Sequence, residues 1–450
     1  MIDIALAVQV MIWLIVIGAF AASGQASIFH PLGVYLLFHG IVFVVRPLLI
    51  YYLHFDSIFI YMQIIPTAGD YLKTLAVSSV ALVVFGAVGL LAGHSRRVGS
   101  MTPPPDFTRN EKRALLVTTL LLAPLIAYSI KASVGGAVTG ELKGGTYVLT
   151  GASGYTADAQ MMAGPLICLW MAATRFNPMG LLPLILFVGY RVYCGWARWT
   201  IVLFFLGLAL VYAWQKGRRS LPLWAVLLAI PLFMLFQTLG HNRDYLQMLL
   251  RGESVRRAVD PVTPEEQFKE KYDTQEFANF DYLCYVLKIV PERTGSFNYG
   301  CQYLQLFTEP IPRKLWPGKP VGAPVGFFSL NSFGNFIGLT VSLPGDGWMS
   351  GGWLGVIITM GLAGLMLGKA HQWFWNHAGN NVAALFYLVG LAMTPQWFRD
   401  GGISMAKFLM WNWLPLIFWL MINWLLGPKL VPGYSVVLPR GTQIRLMPPQ

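Results

Sequence analysis

Apolar residues along this chain come in unbroken runs of about 16 to 22 rather than in stripes at helical spacing, and a run of that length is what a helix needs to cross a bilayer. The bilayer core holds no water to satisfy backbone amides. Runs such as Ile2 to Ala22, Leu72 to Gly93 and Ile201 to Trp214 are therefore predicted to be helices packed on one another. The pattern predicts about eleven spans, near residues 2–22, 29–50, 71–93, 114–132, 161–175, 178–194, 199–214, 221–238, 351–369, 381–395 and 405–427. No positive stretch precedes the first run, and Asp3 is its only early charge, so it reads as the first span and not as a cleaved signal peptide.

Composition agrees: 56% of the 450 residues are hydrophobic and only 12% are charged. The expected class is an all-α polytopic membrane protein. Short loops set its orientation, because cytoplasmic loops carry an excess of Lys and Arg. Arg96, Arg97, Arg109, Lys112 and Arg113 share one loop, Lys216, Arg218 and Arg219 another, and Lys429, Arg440 and Arg445 the tail. The predicted spans place all three on one side, with the N-terminus on the other. The net charge of +12 then fits a basic cytoplasmic rim against anionic headgroups, and no nucleic-acid partner is needed to explain it.

The segment 240–350 lacks a spanning run and holds twelve of the twenty Asp and Glu residues. It is expected to form a large outer, periplasmic loop domain between an N-terminal bundle (1–239) and the C-terminal spans (351–427), with a cytoplasmic tail at 428–450. Within it, Thr263-Pro-Glu-Glu266 reads as a capping box opening a polar helix. Tyr282, Tyr285, Val286 and Ile289 form the apolar stripe of a second helix, expected to lie on the membrane surface. Prolines at 310, 312, 317, 320 and 324 make the next stretch stiff and extended. The four cysteines make no metal-ligand pair, and no metal or cofactor is expected; a Cys284–Cys301 disulfide is open to the chain only in an oxidising compartment, and the sequence does not decide between bridged and free thiols.

Candidate chemistry clusters on the predicted outer face. In GYRVYCGWARW (189–199), Arg191 reads as a snorkelling anchor, whereas Arg198 opens a span, where free amides and the helix dipole favour an anion. HNRDY (241–245) offers His241 as a general base and Arg243 as a cation, with a local Arg243–Asp244 pair as the simpler alternative. PIPRKLWPGKPVG (310–322) contributes Arg313, Lys314 and Lys319, and QWFRDGG contributes Arg399 beside Asp400. Asp346, on the glycine-rich approach SLPGDGWMSGGWLG, is either a base or a partner for a helix N-terminus. Arg191 and Asp281 are secondary candidates. Fixed cations at headgroup level suit a pyrophosphate, which guanidinium forks bind bidentately. Trp196, Trp316, Trp348, Trp353 and Trp397 beside them suit sugar stacking or, more simply, an interface belt.

FDYLCYVLKIVPERTGSFNYGCQYLQLFTEPIPRKLWPGKP (280–320) resembles the outer-loop segment of bacterial oligosaccharide repeat-unit polymerases of the Wzy type, in which an IPR-x-LWP-x-KP run closes the loop. SLPGDGWMSGGWLGVIITMGLAGLMLG is similar to that family's re-entry into the membrane, with Asp346 near its acidic position, and CGWARWTIVLFF to its arginine-opened span, with Arg198 at the matching place. The resemblance implies a metal-independent glycosyltransferase of GT-C-like fold in the bacterial inner membrane. Its substrates would be undecaprenyl-pyrophosphate-linked oligosaccharides on the periplasmic side, and a flippase and a chain-length regulator would be its partners. The growing chain would move from one lipid carrier to the non-reducing end of the next unit. Arg198, Arg243 and Arg313, with Lys319 and Arg399, would hold the pyrophosphate, and Asp346 or His241 would take the acceptor proton, by single displacement. A ligase attaching polysaccharide to lipid A core shares these features. A flippase or other transporter would instead carry ionisable residues buried mid-span and broken helices, and Arg46 is the main mid-span charge in the sequence.

Overall fold

The computed structural model describes residues 1–94, 103–135, 140–143, 146–149, 156, 158–194, 198–221, 269, 272–273, 277–308, 311, 315–316, 327–335 and 340–427. Its helices are α1 (Ile2–Ala22), α2 (Pro31–Leu53), α3 (Ala68–Gly93), α4 (Arg109–Gly135), α5 (Ala163–Ala173, entered through a 3₁₀ turn at Ala159–Met162), α6 (Leu181–Cys194) and α7 (Arg198–Gln215). They continue with α8 (Asn279–Ile289), α9 (Leu343–His377), α10 (Asn381–Ala392), α11 (Thr394–Asp400) and α12 (Gly402–Leu426). One antiparallel hairpin, β1 (Gly140–Lys143) with β2 (Thr146–Leu149), pairs Gly140 with Leu149 and Lys143 with Thr146. Among the described residues six helices, α1, α2, α3, α4, α9 and α12, are long and apolar enough to cross a membrane, and shorter apolar helices fill 159–173, 181–191 and 203–215. The chain is a helical, polytopic membrane protein. The predicted span 221–238 and the capping box at Thr263–Glu266 lie outside the described residues.

Helix starts follow local chemistry. Thr67 and Asp70 form a reciprocal capping box at α3, each backbone amide accepted by the other's side chain, and Thr108 with Glu111 does the same at α4. Both satisfy amides that a helix start otherwise leaves orphaned.

Two cores organise the molecule. The first gathers α1, α2, α3, α8 and the front of α9. Its axis is α3 against α9, the most extensive helix pairing among the described residues. Small residues permit it: a Cβ on Gly364 would come within 2.9 Å of the Phe85 carbonyl, and one on Gly368 within 2.8 Å of the Gly89 carbonyl. In a bilayer, where lipid tails are as apolar as the side chains, close backbone approach of this kind is a main source of helix association. On the flank of this core, α1 buries only Leu6 and Gln9. It is tied by Gln9 Nε2 to Ser78 Oγ (3.1 Å) and by the Trp13 indole to the Leu36 carbonyl (3.0 Å).

The second core gathers α4, α5, α7, the end of α9, α10 and α12. Large aromatic side chains reaching to backbone carbonyls knit it: Trp214 to Ala378 (2.9 Å), Trp419 to Glu111 (3.0 Å) and Tyr387 to Phe29 (2.6 Å). Tyr and Trp are used this way because they bury an apolar body and still satisfy a polar end.

One sequence expectation changes here, and one open question is answered. The helix expected on the membrane surface is α8, and all of its residues except Lys288 are buried. It is wedged against α3 and α9, because its polar side is consumed by partners: Asn279 and Asp281 bond inside the protein, while Lys288 pairs with Asp70 at 3.0 Å. Cys284 in α8 is buried and Cys301 exposed, and the two thiols are free.

Candidate functional site

The span expected to open at 351 begins earlier, at Leu343, and Gly351–Gly352 breaks it. Gly352 takes φ 60° and ψ −136°, a combination essentially confined to glycine. The chain turns so sharply that a Cβ on Gly347 would lie 2.9 Å from the Cα of Val356. The short arm, Leu343–Ser350, thus folds against the long one and carries Asp346 in its first turn, behind the Ser342 cap.

Asp346 is 1% exposed. Gln302 Nε2 donates to its Oδ1 (3.0 Å), while the Tyr303 hydroxyl (2.8 Å) and the Gly402 amide (2.9 Å) donate to its Oδ2. Gly402 is the first residue of α12, so the carboxylate caps the N-terminus of a neighbouring span, where negative charge is favoured. The preceding Gly401, at φ 93°, leaves little room for a side chain: a Cβ there would lie 3.3 Å from the Asp346 carboxylate. Burial and the adjacent Asp346 hold the Tyr303 phenol far above its ordinary range, so it remains a donor.

Arg399 and Asp400 end α11 at this junction. The Arg399 carbonyl accepts from the Ser342 amide (2.9 Å) and from Asn279 Nδ2 (3.0 Å), joining the starts of α8 and α9 to the end of α11. Burial raises the Asp400 carboxyl, opposed by Arg399, whose Nε lies 3.9 Å away. Two residues further along α8, Asp281 receives both Nε and a terminal nitrogen of Arg46 at 2.9 Å. The other terminal nitrogen of Arg46 is 2.7 Å from Asp273. Burial pushes the Asp281 carboxyl up and the guanidinium pulls it down. Asp281 is therefore half of a bidentate buried pair, and the mid-span charge Arg46 is neutralised within the protein.

A cleft with a cavity volume of about 80 Å³ opens beside this junction, lined by residues of α5, α6, α7, α10 and α12 that include Cys168, Phe187, Phe204, Ala392 and Phe408. It is apolar except at a few positions, among them Gln396, which donates to Asp400 from its side-chain amide. Leu203 is the first α7 residue on its wall. Arg198, which opens α7, lies five residues earlier, about 7.5 Å along the helix axis. Nearby, Lys407 of α12 pairs with Asp158 at 2.7 Å.

Of the predicted site residues, the fold brings Asp346 and Arg399 to one junction, with Asp281 two residues along α8 from Asn279, which bonds the Arg399 carbonyl. Arg198 stands at its predicted helix start. Arg191 departs from the anchor expectation: it is 2% exposed, buried among helices instead of snorkelling to an interface. His241, Arg243, Arg313, Lys314 and Lys319 lie outside the described residues. Trp348 and Trp397 are core residues, not belt or platform: the Trp348 indole donates to the Val290 carbonyl at 2.8 Å, and Trp397 stacks on Phe398. Gln302, Tyr303 and Gln396 were missed, since a lone amide or phenol carries no sequence signal. The Gly401–Gly402 doublet after Arg399–Asp400 was the available hint of a close approach. Among the described residues no three of His, Cys, Asp and Glu gather as metal ligands.

No protein-family model, no curated protein and no solved structure matches this chain.

Proposed function

We propose that this chain is a GT-C-like glycosyltransferase with about eleven spans that polymerises undecaprenyl-pyrophosphate-linked oligosaccharides on the periplasmic face of a bacterial inner membrane. The observation that carries this reading is an apolar cleft lined in part by Gln396, which bonds Asp400 beside Arg399. Apolar lining next to fixed charges suits the junction of a lipid's hydrocarbon with its charged head, and the helix start at Arg198 adds free amides for an anion.

In this mechanism an acceptor hydroxyl of the incoming unit attacks the anomeric carbon of the growing chain. The bond from that carbon to the carrier pyrophosphate breaks as the new glycosidic bond forms. Arg198 and Arg399, with Arg243, Arg313 and Lys319 as further cations, stabilise the leaving pyrophosphate, each well-aimed donor contributing about 3 kcal/mol. The acceptor proton goes to Asp346 or His241. Both oxygens of Asp346 are engaged, so it serves as the base only once Gln302 and Tyr303 withdraw.

The test is surface-polysaccharide length in a strain lacking its own polymerase. Arg198→Ala and Arg399→Ala are expected to leave single repeats on the carrier at normal protein level. Long chains in both variants would remove the pyrophosphate clamp, and accumulation of long carrier-linked chains on deletion of this protein would identify a ligase.

A transport reading draws on two other observations, the break in α9 at Gly351–Gly352 and the buried Arg46 cluster, since transporters use broken helices and buried charges. Translocation of a lipid-linked oligosaccharide by the purified protein in vesicles, with no change in its length, would favour that reading.

A further inference from the structure

Residues Cys301–Leu304 form a 3₁₀ turn that continues into one α-helical turn, Gln305–Thr308. This segment is built inside out. Its polar side chains face the protein: Gln302 is fully buried, bonding Asp346 and, at 2.7 Å, Ser350, and Tyr303 reaches Asp346. Its apolar side chains face away: Leu304 is 63% and Phe307 80% exposed, and Cys301, three residues before Leu304, is exposed as well. Spacing of three sets these positions on one ridge. A helix turned toward water has the opposite arrangement, with its polar face outward.

The hydrogen bonds also fix the depth of the segment. Asp346, which Gln302 and Tyr303 hold, lies in the short arm that folds back against the long arm of α9, and it binds the first amide of α12, a candidate span. The turn also packs against α12 itself. It is therefore held at the level where α12 starts, with its apolar ridge exposed.

We propose that the Cys301–Leu304–Phe307 ridge is a lipid-contact edge, seated among the acyl chains of the leaflet at the Asp346 end of the bundle. Lipid is the occupant because the segment packs against the start of a candidate span, α12, and its ridge presents no charge of its own. Because the same short segment carries the Asp346 donors on its other side, lipid packing and the Asp346 hydrogen bonds bear on one element. The placement holds for a transferase and a transporter alike.

The test uses the full chain with its other cysteines replaced by alanine, reconstituted in phosphatidylcholine vesicles. A bimane label is placed on native Cys301 and, separately, on Leu304→Cys and Phe307→Cys. Quenching by a nitroxide high on the lipid acyl chain is expected to exceed quenching by aqueous iodide several-fold at all three positions. Stronger iodide quenching would place the ridge in water, and protection from both quenchers would mean that protein covers it; either result overturns the proposal. Cys301 needs no substitution within the segment, so its label decides the matter even if the other two variants fail to fold.

Discussion

The two cores solve the same problem, holding apolar helices together where the hydrophobic effect gives no help, by opposite means. Around α3 and α9 the helices approach to backbone contact through Gly364 and Gly368 and enclose a salt bridge, leaving no tolerance for added atoms. Around α5, α7, α10 and α12 bulky aromatics brace the helices apart at chosen points, and an apolar cleft remains. The difference teaches where to look for function. The glycine-packed half has the character of a scaffold that positions Asp346 and Arg399, and the aromatic-braced half keeps the cleft.

Substitutions sharpen that contrast. Asp281→Ala takes the bidentate partner from the buried Arg46 guanidinium and leaves it Asp273 alone, and loss of one partner of a buried pair costs about 3 to 5 kcal/mol. A steep fall in thermal stability in detergent, largely reversed by the triple change Arg46→Met with Asp273→Asn and Asp281→Leu, is the expected result; an unchanged melting temperature would mean that the cluster does not hold the first core. Gly368→Val forces atoms into space occupied by Gly89 and Ala92, an overpacking worth about 1 to 3 kcal/mol, read as lowered yield of monodisperse protein. Tyr303→Phe removes one donor from the buried Asp346 carboxylate, about 1 to 2 kcal/mol, and greater proteolytic sensitivity near residue 303 is its expected signature. Smallest in stability is Gly164→Val, whose new Cβ meets Phe204 only at 3.5 Å and whose methyls extend into the cleft. Its melting should shift by less than about 1 kcal/mol equivalent, while retention of polyprenyl lipids in native mass spectrometry drops. A large loss of stability there would erase the distinction between the halves.

Much of this architecture was legible in the sequence, because bilayer length and apolar run length are coupled directly. The runs at 2–22, 71–93 and 405–427 became α1, α3 and α12 within a few residues. Errors arose where a side chain's partner is remote in sequence. A helix carrying Asp281 and Lys288 reads as amphipathic and superficial until Arg46 and Asp70 are seen to neutralise those charges. Arg191 likewise reads as an anchor until its burial is seen. The candidate site was half legible: Asp346, Arg399 and Arg198 stand out as charges at span ends, but Gln302, Tyr303 and Gln396 are ordinary residues until folding aims them.

The sequence by itself determined that this chain is a bundle of bilayer-length helices, since a long apolar run has no other way to satisfy its backbone in lipid. It also determined that charge gathers at the span ends. Only the tertiary structure decided that α8 is buried and that α9 breaks and folds back at Gly352. The same holds for the convergence of Asp346, Arg399 and Gly402 on one junction. These features depend on contacts between segments far apart in the chain, where one charge or one missing Cβ acts only through the partner brought against it.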